Sequence, residues 1–126
     1  MAHLINLKTF TDTRGSLTVI ERVIPFEIKR IFYVNDPGHF AYNGYDFGNA
    51  THAVVCLKGS CRISSHTADE EQHFVLETAD KCLLLAPGDQ HSVREFTDES
   101  ILMVMASEPF EAVDSMRVDA YRYEVA

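Results

Sequence analysis

Short apolar stretches, separated by turn-forming residues, follow one another along most of the chain. Residues 16–21 and 28–34 are rich in β-branched and aromatic side chains, and turn sequences flank them at 12–15 and 35–38. Further strands are predicted at 53–57, 61–64, 72–76, 81–85, 91–96 and 100–106. Eight or more short strands at this spacing predict a β-sandwich or a barrel.

Three other segments complete the predicted organisation. The two strands at 53–57 and 61–64 are expected to form a hairpin around Lys58-Gly59-Ser60, and 4–10 is expected to form an N-terminal strand. The least strand-like segment is 36–51, and loops of that length in compact domains are often functional. A short helix is predicted within 109–123, with Ser107 as its N-cap.

Size and composition indicate a single domain spanning residues 1–126. Hydrophobic residues make up 46% and charged residues 24%, which is an ordinary globular mixture and excludes a disordered or fibrous chain. The formal charge of −8 argues against a general affinity for nucleic acid or for an anionic membrane surface. No apolar run is long enough to span a membrane, and the first residues do not resemble a signal peptide, so we expect a cytoplasmic protein.

The residue types with chemical potential are few. The three cysteines, Cys56, Cys61 and Cys82, are expected to be reduced core thiols, although a bridge between the first two is an alternative. There is no His-x-His pair, and His66 and His73 are expected to be exposed hairpin residues, so we expect no bound metal. Nucleophile elbows, phosphate loops and dinucleotide fingerprints are also absent from the sequence. The kind of chemistry that remains open is acid–base catalysis by histidine, tyrosine and arginine side chains in the mouth of a barrel.

Four blocks of the sequence, in this order and at close to the family's spacing, resemble the WxcM-like cupins. They are Arg14-Gly15-Ser16-Leu17, the segment 24–33 (IPFEIKRIFY), the segment 55–62 (VCLKGSCR) and the segment 103–107 (MVMAS). This family includes the TDP-4-keto-6-deoxyglucose 3,4-ketoisomerases, which supply deoxyamino sugars for surface glycans such as lipopolysaccharide. The resemblance covers nearly the whole chain.

The resemblance implies an all-β fold, the double-stranded β-helix or jelly roll of the cupins, in a domain-swapped homodimer whose N-terminal strands cross between subunits. It also implies a substrate, a nucleotide-linked 4-keto-6-deoxyhexose that is expected to carry TDP. The reaction moves the carbonyl from C4 to C3 through an enediol, and needs neither a metal nor a cofactor. A base removes the C3 proton and a proton returns at C4, which suits groups that titrate near neutral pH.

The sequence departs from the family in one motif. Family enzymes carry Arg-Gly-x-His-Ala-His-Lys before the strand that holds Cys56, and an ungapped alignment puts its two histidine positions on Tyr45 and Phe47. Phenylalanine cannot carry a proton, and tyrosine is a weak base unless its surroundings favour the phenolate. A short insertion in the alignment would instead bring His39 close to the first histidine position.

Other positions match the family and carry the remaining site predictions. His91 follows Pro87-Gly88-Asp89-Gln90, where the resemblance implies a histidine near the barrel mouth, and Arg94 lies where members carry histidine or arginine. Arg14 matches an arginine of one subgroup, and both arginines are able to bind pyrophosphate or sugar oxygens through paired hydrogen bonds. The resulting set of candidates has two parts: catalytic His91, Tyr45 and His39, and substrate-binding Arg14, Arg94, Tyr33 and Tyr42.

Each candidate also has a plain structural interpretation. His91 is equally compatible with a hydrogen-bonded core histidine, the two arginines with surface ion pairs, and the tyrosines with core or loop anchors. Three functions therefore stay open: a ketoisomerase with a rearranged proton relay, a non-catalytic homologue that binds a sugar nucleotide, and a cupin that binds an unrelated small molecule.

Overall fold

The computed structural model describes residues 2–35, 42–46, 50–67, 69–87 and 90–108, with the backbone alone for 42–46 and for residue 90. These residues form strands and connections, without a helix among them. The strands are β1 (His3–Asn6), β2 (Lys8–Asp12), β3 (Gly15–Val19), β4 (Arg30–Asn35), β5 (Tyr42–Asp46), β6 (His52–Lys58), β7 (Cys61–His66), β8 (Glu71–Leu76), β9 (Lys81–Leu85), β10 (Gln90–Arg94) and β11 (Ile101–Ala106).

The strands are arranged in two larger sheets and a ribbon. The five-stranded sheet has the order β1-β9-β6-β11-β4, the four-stranded sheet has the order β5-β10-β7-β8, and β2 pairs with β3. All of these pairs are antiparallel. Strands that follow one another in the chain alternate repeatedly between the sheets, as in a jelly roll, so the predicted fold class is confirmed.

The two sheets enclose an apolar interior. Side chains alternate along each strand, so Val54 and Cys56 of β6 share one face and meet Ile63 of β7 and Val93 of β10 from the opposite sheet. Phe32, Phe74 and Phe96 pack against the edges of this core. The alternation therefore identifies which residues of every strand face the interior.

The five-stranded sheet is also covered on its outer face. Ala53 and Val55, which alternate with the interior residues of β6, pack with Cys82, Leu84 and Met105. Ile20, Ile24 and Phe26, from the segment between β3 and β4, lie over this second cluster. Strands buried on both faces have continuous apolar sequences, which explains why β6, β9 and β11 are apolar runs without strict alternation.

The connection between β6 and β7 differs from the predicted hairpin. The two strands belong to different sheets, so residues 58–60 carry the chain from one sheet to the other. Gly59 has a φ of +75°, and a Cβ at this position would lie 2.5 Å from Thr97 Oγ1, so the turn requires glycine. The local turn sequence was recognisable, whereas the partner of each strand was determined by distant residues.

Two further expectations concern the segments 36–51 and 109–123. The segment 36–51, predicted as a loop, contains β5, whose backbone pairs with β10. The C-terminal helix predicted within 109–123 lies outside the described residues.

Cys56, Cys61 and Cys82 are buried free thiols, as expected, and the Cys56 thiol donates to the Lys58 carbonyl at 3.2 Å. No helix of membrane-spanning length and hydropathy occurs in the described part of the chain.

Candidate functional site

One end of the interior is polar, and His52 is its first component. His52 begins β6 two residues before Val54, so the imidazole lies on the interior face, where it is buried. Its neighbours across the five-stranded sheet are Leu85 of β9 and Ala106 of β11. The sheet therefore presents an imidazole beyond the last layer of its apolar core.

His91 approaches the same end of the interior from the other sheet. It precedes Val93 by two residues in β10, which places it on the interior face, and only 1% of its surface is exposed. Its Nε2 lies 3.4 Å from the carbonyl oxygen of Ala86. Because Ala86 directly follows Leu85, the partner of His52, this contact brings the two histidines to one end of the barrel.

The contact with Ala86 also determines which nitrogen of His91 is basic. A carbonyl oxygen only accepts hydrogen bonds, so the Ala86 contact requires the hydrogen of the neutral imidazole to be on Nε2. The basic lone pair of His91 then belongs to Nδ1. A buried imidazole with a fixed tautomer is a suitable group for removing or returning a proton.

The electrostatics of the site keep His52 neutral. The pKa of His52 is lowered to about 4, chiefly by burial and to a smaller extent by electrostatic interactions with His91 and Arg30, whereas a hydrogen bond with the Ala50 backbone opposes the shift. At pH 7 the His52 imidazole is therefore uncharged. A neutral imidazole both donates and accepts hydrogen bonds, which suits an interior site where the cationic form is unfavourable.

Arg30 supplies the positive charge at this end. It begins β4 opposite Ala106, the same residue that pairs with His52, so Arg30, Ala106 and His52 lie in one row across the sheet. The side chain is half-buried, and its guanidinium carbon lies 4.6 Å from the centroid of the Phe32 ring. A guanidinium held against an aromatic face keeps its hydrogen-bond donors directed to its edge, where an anionic group can bind.

The two predicted tyrosines of β5 are neighbours of the His91 strand. The backbone register places Tyr45 opposite His91 and Tyr42 opposite Val93, with an irregularity between the two pairs. Tyr45 and His91 are thus adjacent positions of the sheet. The alternative candidate, His39, lies outside the described residues.

Arg94 lies on the other face of β10. Since side chains alternate along a strand, Ser92 and Arg94 point away from the interior that holds His91 and Val93. The Arg94 guanidinium donates to Ser92 Oγ at 3.2 Å. The structure therefore separates Arg94 from the interior end that contains the histidines.

Arg14 and Tyr33 are also outside the interior. Arg14 lies at the turn of the β2–β3 ribbon with its side chain 89% exposed, and its guanidinium donates to Asp12 Oδ2 at 2.6 Å. This pairing lowers the pKa of the Asp12 carboxyl below its usual value. Tyr33 is 60% exposed on the face of β4 opposite to Phe32 and Val34. Among the candidates whose side chains the structure describes, His91 is the one in the interior.

Sequence reasoning missed His52 and Arg30. His52 has no histidine two residues away, so its sequence context carries no metal-site signal. A signal was present, because His52, Val54 and Cys56 alternate in phase and share the face of a strand whose apolar residues form the core. Arg30 stood within the block 24–33 that carries the family resemblance.

Comparisons with known proteins agree with this architecture. The family model described as WxcM-like, C-terminal (FdtA) matches residues 1–125. A TDP-4-oxo-6-deoxy-α-D-glucose-3,4-oxoisomerase of Aneurinibacillus thermoaerophilus is 33% identical over 117 residues, which are 90% of this chain and 84% of that protein.

Two solved structures are similar over almost their whole length. The WlaRB TDP-quinovose 3,4-ketoisomerase of Campylobacter jejuni has a TM-score of 0.83 and 27% identity, covering 90% of this chain and 89% of that one. QdtA, a sugar 3,4-ketoisomerase from Thermoanaerobacterium thermosaccharolyticum in complex with TDP, has a TM-score of 0.80 and 29% identity, covering 94% and 92%. From the match of the family model and the similarity in sequence and fold, we conclude that this chain belongs to the WxcM-like family.

Proposed function

We propose that this chain is a sugar 3,4-ketoisomerase that acts on a nucleotide-linked 4-keto-6-deoxyhexose in deoxysugar synthesis. The curated relative is an oxoisomerase of this class, and two similar structures are TDP-sugar or sugar ketoisomerases. The observation that carries the proposal is the pair of buried histidines, His52 and His91, at one end of the interior. Proton transfer at carbon needs such groups in a site that excludes bulk water.

The reaction requires two proton transfers at carbon and no change in overall oxidation state. A base takes the C3 proton, the C3–H electron pair forms the C3=C4 bond, and the C4 carbonyl oxygen gains a proton to give the enediol. The C3 hydroxyl then loses its proton and forms the new carbonyl, while C4 receives a proton. We assign the transfers at carbon to His91, through Nδ1, because Ala86 holds its Nε2 hydrogen.

Because the family's histidine pair is not retained, another residue must act as the second acid–base group beside His91. Tyr45 supports this role by its backbone position opposite His91, and Phe47 occupies the other histidine position. Arg30 contributes positive charge at the same end of the barrel, and a nearby cation favours the phenolate form of a tyrosine. His39 is retained as the alternative to Tyr45.

The substrate's pyrophosphate needs positively charged partners. Arg30 faces the polar end of the interior, and we assign it a share of this role together with the predicted Arg14. Arg94 was predicted for the same role, but it points away from this interior, so we assign it no contact with a pyrophosphate bound there. Arg14 is carried on the β2–β3 ribbon, so in a strand-swapped dimer it would serve the partner subunit's site. Tyr33 and Tyr42 remain proposed contacts to the nucleotide or sugar.

We propose in addition that the protein is a homodimer that exchanges its N-terminal strands. Phe10 and Leu17 face each other across the ribbon and are 52% and 63% exposed, so this subunit leaves an apolar pair uncovered. β4 is an edge strand of the five-stranded sheet, and its outward Ile31 and Tyr33 are also more than half exposed. An apolar ribbon and an apolar sheet edge are complementary surfaces for a second copy.

Light scattering at micromolar concentration is expected to give about twice the subunit mass of 14.2 kDa. Phe10→Glu is expected to shift the mass towards one subunit, because a charge would be buried at the proposed interface. Thr9→Glu is the matched control, since Thr9 lies on the other face of β2, bonded to Thr18. A single-subunit mass for the unsubstituted protein would contradict the dimer.

The second candidate function is sugar-nucleotide binding without catalysis. The phenylalanine at position 47, where the family carries a histidine, favours it. With this function the protein would bind the keto sugar nucleotide and leave it unchanged. Binding and turnover measured on one sample therefore separate the two functions.

We infer a cytoplasmic location from the thiols. Cys56, Cys61 and Cys82 are free, and reduced cysteines are typical of that compartment.

The proposed function is tested by incubating the protein with TDP-4-keto-6-deoxyglucose and following the products by NMR. We expect conversion to the 3-keto isomer at a rate that a chelator leaves unchanged, because the proposed chemistry uses side chains alone. An unchanged substrate that is nevertheless bound would favour the binding function.

A further inference from the structure

A row of polar residues crosses the four-stranded sheet at the level of His91. His91 of β10 pairs with Ser65 of β7, and Ser65 pairs with Gln72 of β8. The next inward row consists of the core residues Val93, Ile63 and Phe74. Because residues two apart in a strand share a face, Ser65 and Gln72 point into the interior beside His91.

Two atoms of this row have unsatisfied hydrogen-bonding capacity. Ser65 is 1% exposed, and neither its Oγ nor the buried Oε1 of Gln72 has a hydrogen-bond partner in the described structure. The adjacent Ser64, on the outer face, shows the ordinary arrangement, with its Oγ 2.9 Å from His73 Nδ1. A buried polar atom without a partner is destabilising, and such atoms are rare outside functional sites.

We infer that Ser65 and Gln72 form a subsite for the sugar ring of the nucleotide-linked substrate, an inference that rests on the proposed function. The hexose ring carries hydroxyl groups that donate to Gln72 Oε1 and oxygens that accept from Ser65 Oγ. A ring bound to both residues would lie against His91, the neighbour of Ser65 in the sheet. The subsite thus fixes the ring atoms relative to the imidazole that exchanges protons with them.

The test compares binding of TDP-4-keto-6-deoxyglucose with binding of TDP alone by isothermal titration calorimetry. Ser65→Ala and Gln72→Leu are each expected to weaken binding of the sugar nucleotide about 5- to 10-fold and to leave TDP binding unchanged. Ser64→Ala is the control, because it removes a similarly buried hydroxyl from the outer face of the same strand. Equal losses for both ligands, or no loss for either, would overturn the inference, the latter because Ser65 would then serve an internal water only.

The melting temperature without ligand separates a binding role of Ser65 from a purely structural one, because the two roles predict opposite changes in Ser65→Ala. Ser65→Ala is expected to raise the melting temperature, because it removes a buried hydroxyl that lacks a partner. A lower melting temperature would mean that the hydroxyl is already bonded within the protein, contrary to the inference.

Failure of this inference and failure of the proposed function give different results. If the unsubstituted protein binds the sugar nucleotide but does not isomerise it, the proposed function fails, and the ligand comparison still decides on Ser65 and Gln72. If it isomerises the sugar while both variants bind it normally, the subsite fails and the function stands. If it binds neither ligand, both are overturned.

Discussion

Replacing His91 with asparagine is expected to lower kcat for the keto sugar nucleotide by about 10²- to 10⁴-fold, the usual cost of losing one proton-transfer group. The imidazole is buried in the interior, with its Nε2 directed to the Ala86 carbonyl, so its remaining nitrogen is the basic one. Asparagine keeps a polar side chain of similar reach but cannot carry a proton between carbon atoms. The measurement is steady-state kinetics, with the Kd for TDP as a check that the site is intact.

His66→Asn is the matched control for this substitution. His66 is a histidine of β7 that lies on the outer face, with its Nδ1 3.2 Å from Glu71 Oε1, so its loss should leave kcat unchanged. Full turnover by His91→Asn would contradict the assignment of the base to His91.

The same kinetics distinguish the two candidates for the second acid–base group. Tyr45→Phe is expected to reduce turnover if the backbone position opposite His91 is the family's first histidine position. Retained turnover in Tyr45→Phe together with its loss in His39→Asn would show that the segment 36–51 contains an insertion relative to the family.

A second large effect is expected in the pH dependence of stability, and it arises from His52. Its pKa is about 4 in the folded protein, below the ordinary value of 6.5, chiefly because the imidazole is buried. Between these two values the unfolded chain binds a proton that the folded protein does not, so acid favours unfolding. The contribution of His52 to the free energy of unfolding is complete above pH 6.5 and falls by on the order of 3 kcal/mol as the pH approaches 4.

The measurement is denaturant unfolding between pH 7.5 and pH 4 for the unsubstituted protein and for His52→Gln. We expect the stability of the variant to fall less steeply with acid, so that the difference between the proteins narrows or reverses below pH 6. A His66→Gln variant controls for the loss of a histidine that is only partly buried. Parallel curves for all three proteins would show that His52 is protonated as easily in the folded state as in the unfolded one.

The strand signals predicted a β-sandwich or barrel because they are local, and the family resemblance specified the jelly roll. The apolar runs of β6, β9 and β11 and the turn at Gly59 are all visible in short windows. The partners of those strands were not predictable in this way, since β6 and β7 follow each other and yet lie in different sheets. β5 was missed because Asn43, Gly44 and Asp46 are typical of turns and outweigh its two tyrosines, and pairing with β10 makes the segment a strand.

For a related reason, the sequence predicted only part of the candidate site. His91 was identified through the family resemblance, and the structure places it in the interior. Arg94 is three residues from His91 in the same strand, so the two side chains lie on opposite faces of the sheet. This follows from the sequence once the strand is known. His52 required knowledge that its strand faces β10 across the core, which depends on residues distant in sequence.

Proton exchange at the hexose carbons can be followed directly by NMR of TDP-4-keto-6-deoxyglucose incubated with the protein in D₂O. We expect loss of the C3 proton signal from the substrate and deuterium at C4 of the 3-keto product, both greatly slowed by His91→Asn. A C3 proton that persists for as long as it does without the protein, under conditions where calorimetry shows the sugar nucleotide bound, would show that the protein does not catalyse this exchange.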